Sequence, residues 1–138
     1  MFKHQIRAAY RDVTVGNHIY YARYLDLLEI ARNEMFRSLG FPLLTLQEQN
    51  VIFPVVECTL RYHAAARYDD LLDIQTVVSD LGKVQLTLEV QILRDQQLIL
   101  SGQTRHAVTN LQEKPVRMPA DLFNALQSHL AAAASTTS

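Results

Sequence analysis

Residues 10–40 read YRDVTVGNHIYYARYLDLLEIARNEMFRSLG. An extended, β-rich piece runs into a polar knot, Gly16-Asn17-His18, and then into a long helical pattern. Residues 3–15 alternate loosely and are expected to form a strand. From Tyr20 to Leu39 the expectation is a helix, because Tyr24, Leu28, Ala31, Met35 and Leu39 recur at helical spacing. Leu25, Leu27, Ile30 and Phe36 widen that stripe until the helix is apolar almost all round. A helix of this kind is wrapped by other structure rather than laid on a surface. Gly40 followed by Pro42 is a stop signal.

The remainder of the chain must supply the wrapping. Residues 43–50 suit a loop or a short helical turn. Four strand-like segments come next: Ile52–His63, with Pro54 near its start where a strand end tolerates it, then Leu71–Leu81, then 84–92, then Leu98–Asn110. The third is the cleanest, with Val84, Leu86, Leu88, Val90 and Ile92 alternating with polar residues. A tight Arg94-Asp95-Gln96-Gln97 turn predicts a hairpin between the third and fourth. After Pro115 and Pro119, residues 120–131 suit a short helix, and residues 132–138 a disordered tail. No repeat or internal linker interrupts residues 1–131, which are expected to form one domain. The expected class is α+β, with an antiparallel sheet of about five strands curled around one long central helix. Such a sheet leaves an edge strand and apolar surface open, and a homodimer or homotetramer is the expected remedy.

Composition narrows the function. The chain has 138 residues, 13 basic and 14 acidic, for a net charge of −1. That balance argues against a nucleic-acid partner, which leaves a basic footprint. The five histidines lack metal-ligand spacing, so no metal is expected. Cys58 is the single cysteine, which rules out an internal disulfide, fits a reducing compartment and is expected to pack as a small buried hydrophobe. No signal peptide and no apolar run of spanning length is visible. The expectation is a soluble cytoplasmic protein with no membrane insertion.

Four stretches carry a likeness to a known family: YRDVTVGNHIYYARY, EIARNEMFRSLG, RYHAAARYDDLLDIQT and KPVRMP. Together, in this order, they resemble the hotdog-fold 4-hydroxybenzoyl-CoA thioesterase family, and within it the Tol-Pal-associated acyl-CoA thioesterases. The resemblance spans about residues 7–121. It implies the hotdog fold and hydrolysis of an acyl thioester. No separate cofactor is implied, since coenzyme A or phosphopantetheine comes as part of the substrate. In that family the turn before the helix carries Asp-x-Asp, and the second Asp is the catalytic carboxylate. Here Asp12 stands at the first position and Thr14 at the second, while His18 matches a histidine that many relatives carry. The family's oxyanion donor is a backbone N–H at the start of the helix, seven residues after the carboxylate, which corresponds to Tyr21. A free N–H there has a physical basis of its own, because the first turn of a helix has unpaired donors and the positive end of its dipole.

Threonine is no general base at neutral pH, and four alternatives stay open. Thr14 orients a water while Asp12, on the same strand face by alternation, takes the proton, although the ordinary reading of Asp12 is a turn or helix-cap aspartate. His18 is the base, since imidazole titrates close to neutral pH. Glu29 points into the pocket from the central helix. Or no side chain acts as base, a mode suggested by a weaker likeness to the thioesterases of enediyne pathways, which also lack the carboxylate and have a turn of similar GN-x-YY style, where this chain reads GNHIYY over residues 16–21. Asn17, Tyr20 and Arg32 are substrate-binding candidates under that likeness. Lys83 and Arg117 fall where relatives place cations against the phosphates of coenzyme A. Each of these charges also has an ordinary reading as solvated surface. The expected partner is thus an acyl-CoA or an acyl carrier protein thioester. The rival reading is a non-catalytic acyl-CoA-binding hotdog protein that has lost activity with the aspartate at position 14. A hotdog dehydratase is a weaker third, because its paired His and acidic residue sit on a different motif.

Overall fold

The structure is a computed structural model and describes residues 1–130. The predicted tail, residues 132–138, lies outside the described residues. The elements run β1 (Phe2–Arg7), β2 (Val13–Thr14), β3 (His18–Ile19), α1 (Arg23–Ser38), α2 (Leu43–Glu48), β4 (Val55–Tyr62), β5 (Leu71–Leu81), β6 (Gln85–Arg94), β7 (Gln97–Ala107) and α3 (Ala120–Gln127). Five strands form one antiparallel sheet in the order β1-β5-β6-β7-β4, and β2 and β3 form a separate two-residue ladder. The expected hairpin is β6–β7. Asp95 and Gln96 both take positive φ there, 49° and 69°, the mirror-image turn whose twist matches paired strands.

Alternation along β5 and β6 turns Leu72, Ile74, Val78, Leu86, Leu88, Val90 and Ile92 toward the helix, where all are buried. Two apolar clusters extend along the length of α1. Tyr24, Leu27, Leu28 and Ala31 pack at its start with Ile74, Ile92, Ile99 and Leu100. Met35 and Phe36 pack at its end with Leu46, Phe53, Leu88, Val108 and Met118. The helix is therefore an axis that runs from one end of the sheet to the other.

Three expectations need correction. The strand expected over 3–15 is broken: β1 ends at Arg7, and residues 10–12 form a 3₁₀ turn before β2. The chain must leave the sheet there to reach the helix, so alternation does not carry from Asp12 to Thr14. Within one chain α1 is covered on one side only, and Leu25 and Ile30 are exposed. Cys58 is exposed rather than buried, because β4 is an edge strand whose residues are almost all open to solvent. No helix among the described residues is long and apolar enough to cross a membrane.

Candidate active site

The turn before α1 is braced from below. Asp12, nearly buried, accepts the Ala9 N–H on its side chain at 2.9 Å and the Tyr20 N–H on its backbone carbonyl at 2.9 Å. Its other carboxylate oxygen lies 3.9 Å from the Arg23 guanidinium. Gly16 and Asn17 then reverse the chain in the left-handed region, at φ 77° and 58°, which glycine adopts freely and asparagine tolerates. The reversal sets Thr14 directly opposite His18 in the β2–β3 ladder, where opposed side chains share a face. Two bonds from the 63–70 segment hold the turn in place. Ala66 O accepts the Ile19 N–H at 2.9 Å, and the Asn17 side chain accepts the Tyr68 N–H at 3.1 Å.

The helix start faces outward. Tyr20 O accepts the Arg23 N–H at 2.8 Å, which closes the first turn. The N–H groups of Tyr21 and Ala22 meet no acceptor among the described residues, and Tyr21 is 63% exposed. Beside the turn is a cleft of about 540 Å³ lined by Tyr10, Val13, Thr14, Asn17 and Tyr68. Tyr10 and Tyr68 meet edge to face there, with ring centroids 5.6 Å apart.

Five of the sequence candidates therefore come together in one turn: Thr14, Asn17, His18, Tyr20 and Tyr21. Asp12 is adjacent, but its side chain is engaged in bracing the backbone. Glu29 is exposed on α1. Arg32 lies about three helical turns, roughly 16 Å, beyond Tyr21. Burial lowers its guanidinium pKa from the ordinary value, and Glu29 opposes that shift. Lys83 and Arg117 are neighbours of each other, since Lys83 O accepts the Met118 N–H at 2.9 Å. Both sit at the far end of the sheet, where Met118 packs with Met35 and Phe36. In a single chain they lie toward the end of α1 opposite Tyr21, and that helix is about 24 Å long.

Two contacts escaped the sequence reading. The Tyr68 ring walls the cleft, and the Tyr62 hydroxyl donates to Tyr21 O at 3.0 Å. Four residues after Tyr62, Ala66 is buried, with its N–H donated to the Tyr24 hydroxyl at 3.1 Å.

The sequence matches the thioesterase-like superfamily over residues 9–126. It is 33% identical over 123 residues to the acyl-CoA thioesterase YbgC of Haemophilus influenzae, covering 88% of this chain and 90% of that protein. Among solved structures, a hypothetical protein of Thermus thermophilus superimposes with a TM-score of 0.88 at 26% identity, over 94% of this chain and 99% of that one. A probable thioesterase of Bartonella henselae does so at 0.81 and 29% identity, over 85% and 98%. With a braced turn, an open helix start and these matches across most of its length, the chain belongs to the thioesterase-like superfamily.

Proposed function

We propose that the protein hydrolyses acyl thioesters of coenzyme A or of a carrier-borne phosphopantetheine at the Thr14–Tyr21 turn. The observation that carries this is the N–H of Tyr21 just before α1, which meets no acceptor among the described residues and belongs to an exposed residue, within a family of thioesterases. The carbonyl oxygen of the thioester rests on that N–H. Water adds to the carbonyl carbon, and the oxyanion of the tetrahedral intermediate is held by the N–H and the positive end of the helix dipole. Collapse breaks the C–S bond, and the proton lost by water ends on the departing thiolate. Thr14 holds the water, and His18, opposite it in the ladder, relays the proton in a step that solvent water also performs, so that no single side chain is an obligatory base.

Thr14→Ala is then expected to lower kcat on the order of tenfold, the cost of about one hydrogen bond to a water. Thiol release from a panel of acyl-CoAs, with Asp12→Asn, His18→Ala and Glu29→Gln beside it, is the test. A variant of intact fold that abolishes turnover identifies a single base and sinks the oxyanion-led account. A parent that releases no thiol, while Thr14→Asp does, turns the protein into a binding scaffold.

The site is completed by a second copy of the chain. β4 is an exposed edge strand carrying Val55 and Val56, and Leu25 and Ile30 lie open on the helix. A two-fold pairing of β4 with its copy runs the strands antiparallel. It therefore sets the far end of one sheet beside the helix start of the other. Lys83 and Arg117 of one chain then reach the phosphates of a coenzyme A bound at the other chain's turn. Light scattering at micromolar concentration should give at least a dimer. Lys83→Ala and Arg117→Ala should weaken binding of a non-hydrolysable acyl-CoA, with the larger loss at low salt. A stable monomer, or unchanged affinity in both variants, removes these cations from the site.

A further inference from the structure

The edge strand reaches the helix start through one side chain. The Tyr62 hydroxyl on β4 donates to Tyr21 O at 3.0 Å. That oxygen belongs to the same peptide unit as the Ala22 N–H, and the Ala22 N–H has no acceptor among the described residues. The peptide is a conjugated group, so a donor on its oxygen draws density from its nitrogen and strengthens the N–H as a donor in turn. The Tyr62 ring is itself positioned. It meets the Tyr24 ring at 5.5 Å and 65°, and the Tyr24 hydroxyl is pinned to the Ala66 N–H. Burial, and then the neighbouring Cys58, Tyr21 and Tyr24, push the Tyr62 phenol up, so it stays a donor through neutral pH.

We infer that Tyr62 is a positioning residue for the thioesterase site: its hydroxyl fixes and polarises the Tyr21–Ala22 peptide, so that the Ala22 N–H joins the Tyr21 N–H in holding the oxyanion. This rests on the hydrolytic reading above and adds a second donor to it. Tyr62 touches neither the substrate nor the water and acts through the backbone. It also links catalysis to the edge strand, since any displacement of β4 moves the hydroxyl that sets this peptide.

The test is Tyr62→Phe, which keeps the ring against Tyr24 and removes the hydroxyl, and 3-fluorotyrosine at position 62, which makes a stronger donor. In the phenylalanine variant kcat should fall about fivefold, the worth of one hydrogen bond, with KM and melting temperature unchanged. With 3-fluorotyrosine kcat should rise. In the ¹H–¹⁵N spectrum of the free protein the Ala22 amide proton should move upfield in Tyr62→Phe. Unchanged kcat in Tyr62→Phe overturns the inference. So does a parallel change in KM and melting temperature with no response to 3-fluorotyrosine, which is what a purely structural tyrosine would give. If the parent turns over no thioester, the hydrolytic reading fails by itself, and the Ala22 amide shift alone then decides whether Tyr62 polarises the peptide.

Discussion

Gly102→Ala is expected to destabilise the protein by about 3 kcal/mol, the upper range for forcing extra volume into a packed sheet, and to lower the melting temperature by about 10 °C. Gly102 on β7 faces Leu60 on β4. A Cβ added to it would stand 2.4 Å from the Thr59 carbonyl oxygen, 2.6 Å from a Leu60 methyl and 3.3 Å from the Leu60 Cα. The Leu60 methyl can rotate away, but the Thr59 carbonyl is main chain within the ladder. Relief requires β4 to move off β7, which breaks the pairing that holds the edge strand. Activity should fall with stability, because β4 carries Tyr62. The comparison is Gly16→Ala, where nothing lies within 4 Å of the added carbon and the cost is the positive φ of 77° alone, about 1 kcal/mol. Thermal denaturation of the two variants side by side decides the matter. A Gly102→Ala protein that melts within a degree or two of the parent would show that β4 and β7 are not in this close contact.

The second large effect is acid loss of stability from one histidine. His106, on β7, is 1% exposed. Its Nδ1–H donates to Phe53 O at 3.2 Å and its Nε2 accepts the Thr104 hydroxyl at 2.9 Å. This arrangement satisfies the neutral ring, and a second proton would put a charge in a site closed to solvent. Burial first, and the nearby Arg32 second, lower its pKa to about 4, against a smaller opposing pull from the Phe53 carbonyl. In the unfolded chain the ring takes up a proton near the ordinary value of 6.5. Between those values the unfolded state binds more protons than the folded one, so stability rises with pH. The contribution is complete above pH 6.5 and is lost progressively as pH falls toward 4. Its size is about 3 kcal/mol. Urea denaturation at pH 7 and again near pH 4 should show that drop in the parent. His106→Leu, less stable at pH 7 because Phe53 O and the Thr104 hydroxyl lose their partner, should lose clearly less between the two pH values. Equal losses in both proteins would mean that His106 titrates normally.

The long apolar helix, its stop at Gly40, the period-two strands 71–81, 84–92 and 98–110, and the β6–β7 hairpin were legible in the sequence. Each depends on spacing between near neighbours, and burial imposes that spacing locally. That free N–H groups lie at the start of the helix follows from any helix start, whereas the choice of Tyr21 as the proposed oxyanion donor came from the family resemblance and not from local spacing. Other features were settled only by the sheet order β1-β5-β6-β7-β4. That order makes β4 an edge, which exposes Cys58 and opens one side of the helix at Leu25 and Ile30. It also carries Lys83 and Arg117 to the end of the molecule opposite the turn. Asp12 has two readings in the sequence, a base on the strand face of Thr14 and a turn or helix-cap aspartate, and the fold gives the second: it braces a 3₁₀ turn, because the chain must leave the sheet to enter the helix. Tyr62 is forty-one positions from Tyr21 and meets it only when β4 folds back along the helix start. A local pattern records how often a residue is covered; which neighbour covers it is a contact between distant segments, and only the folded chain determines that.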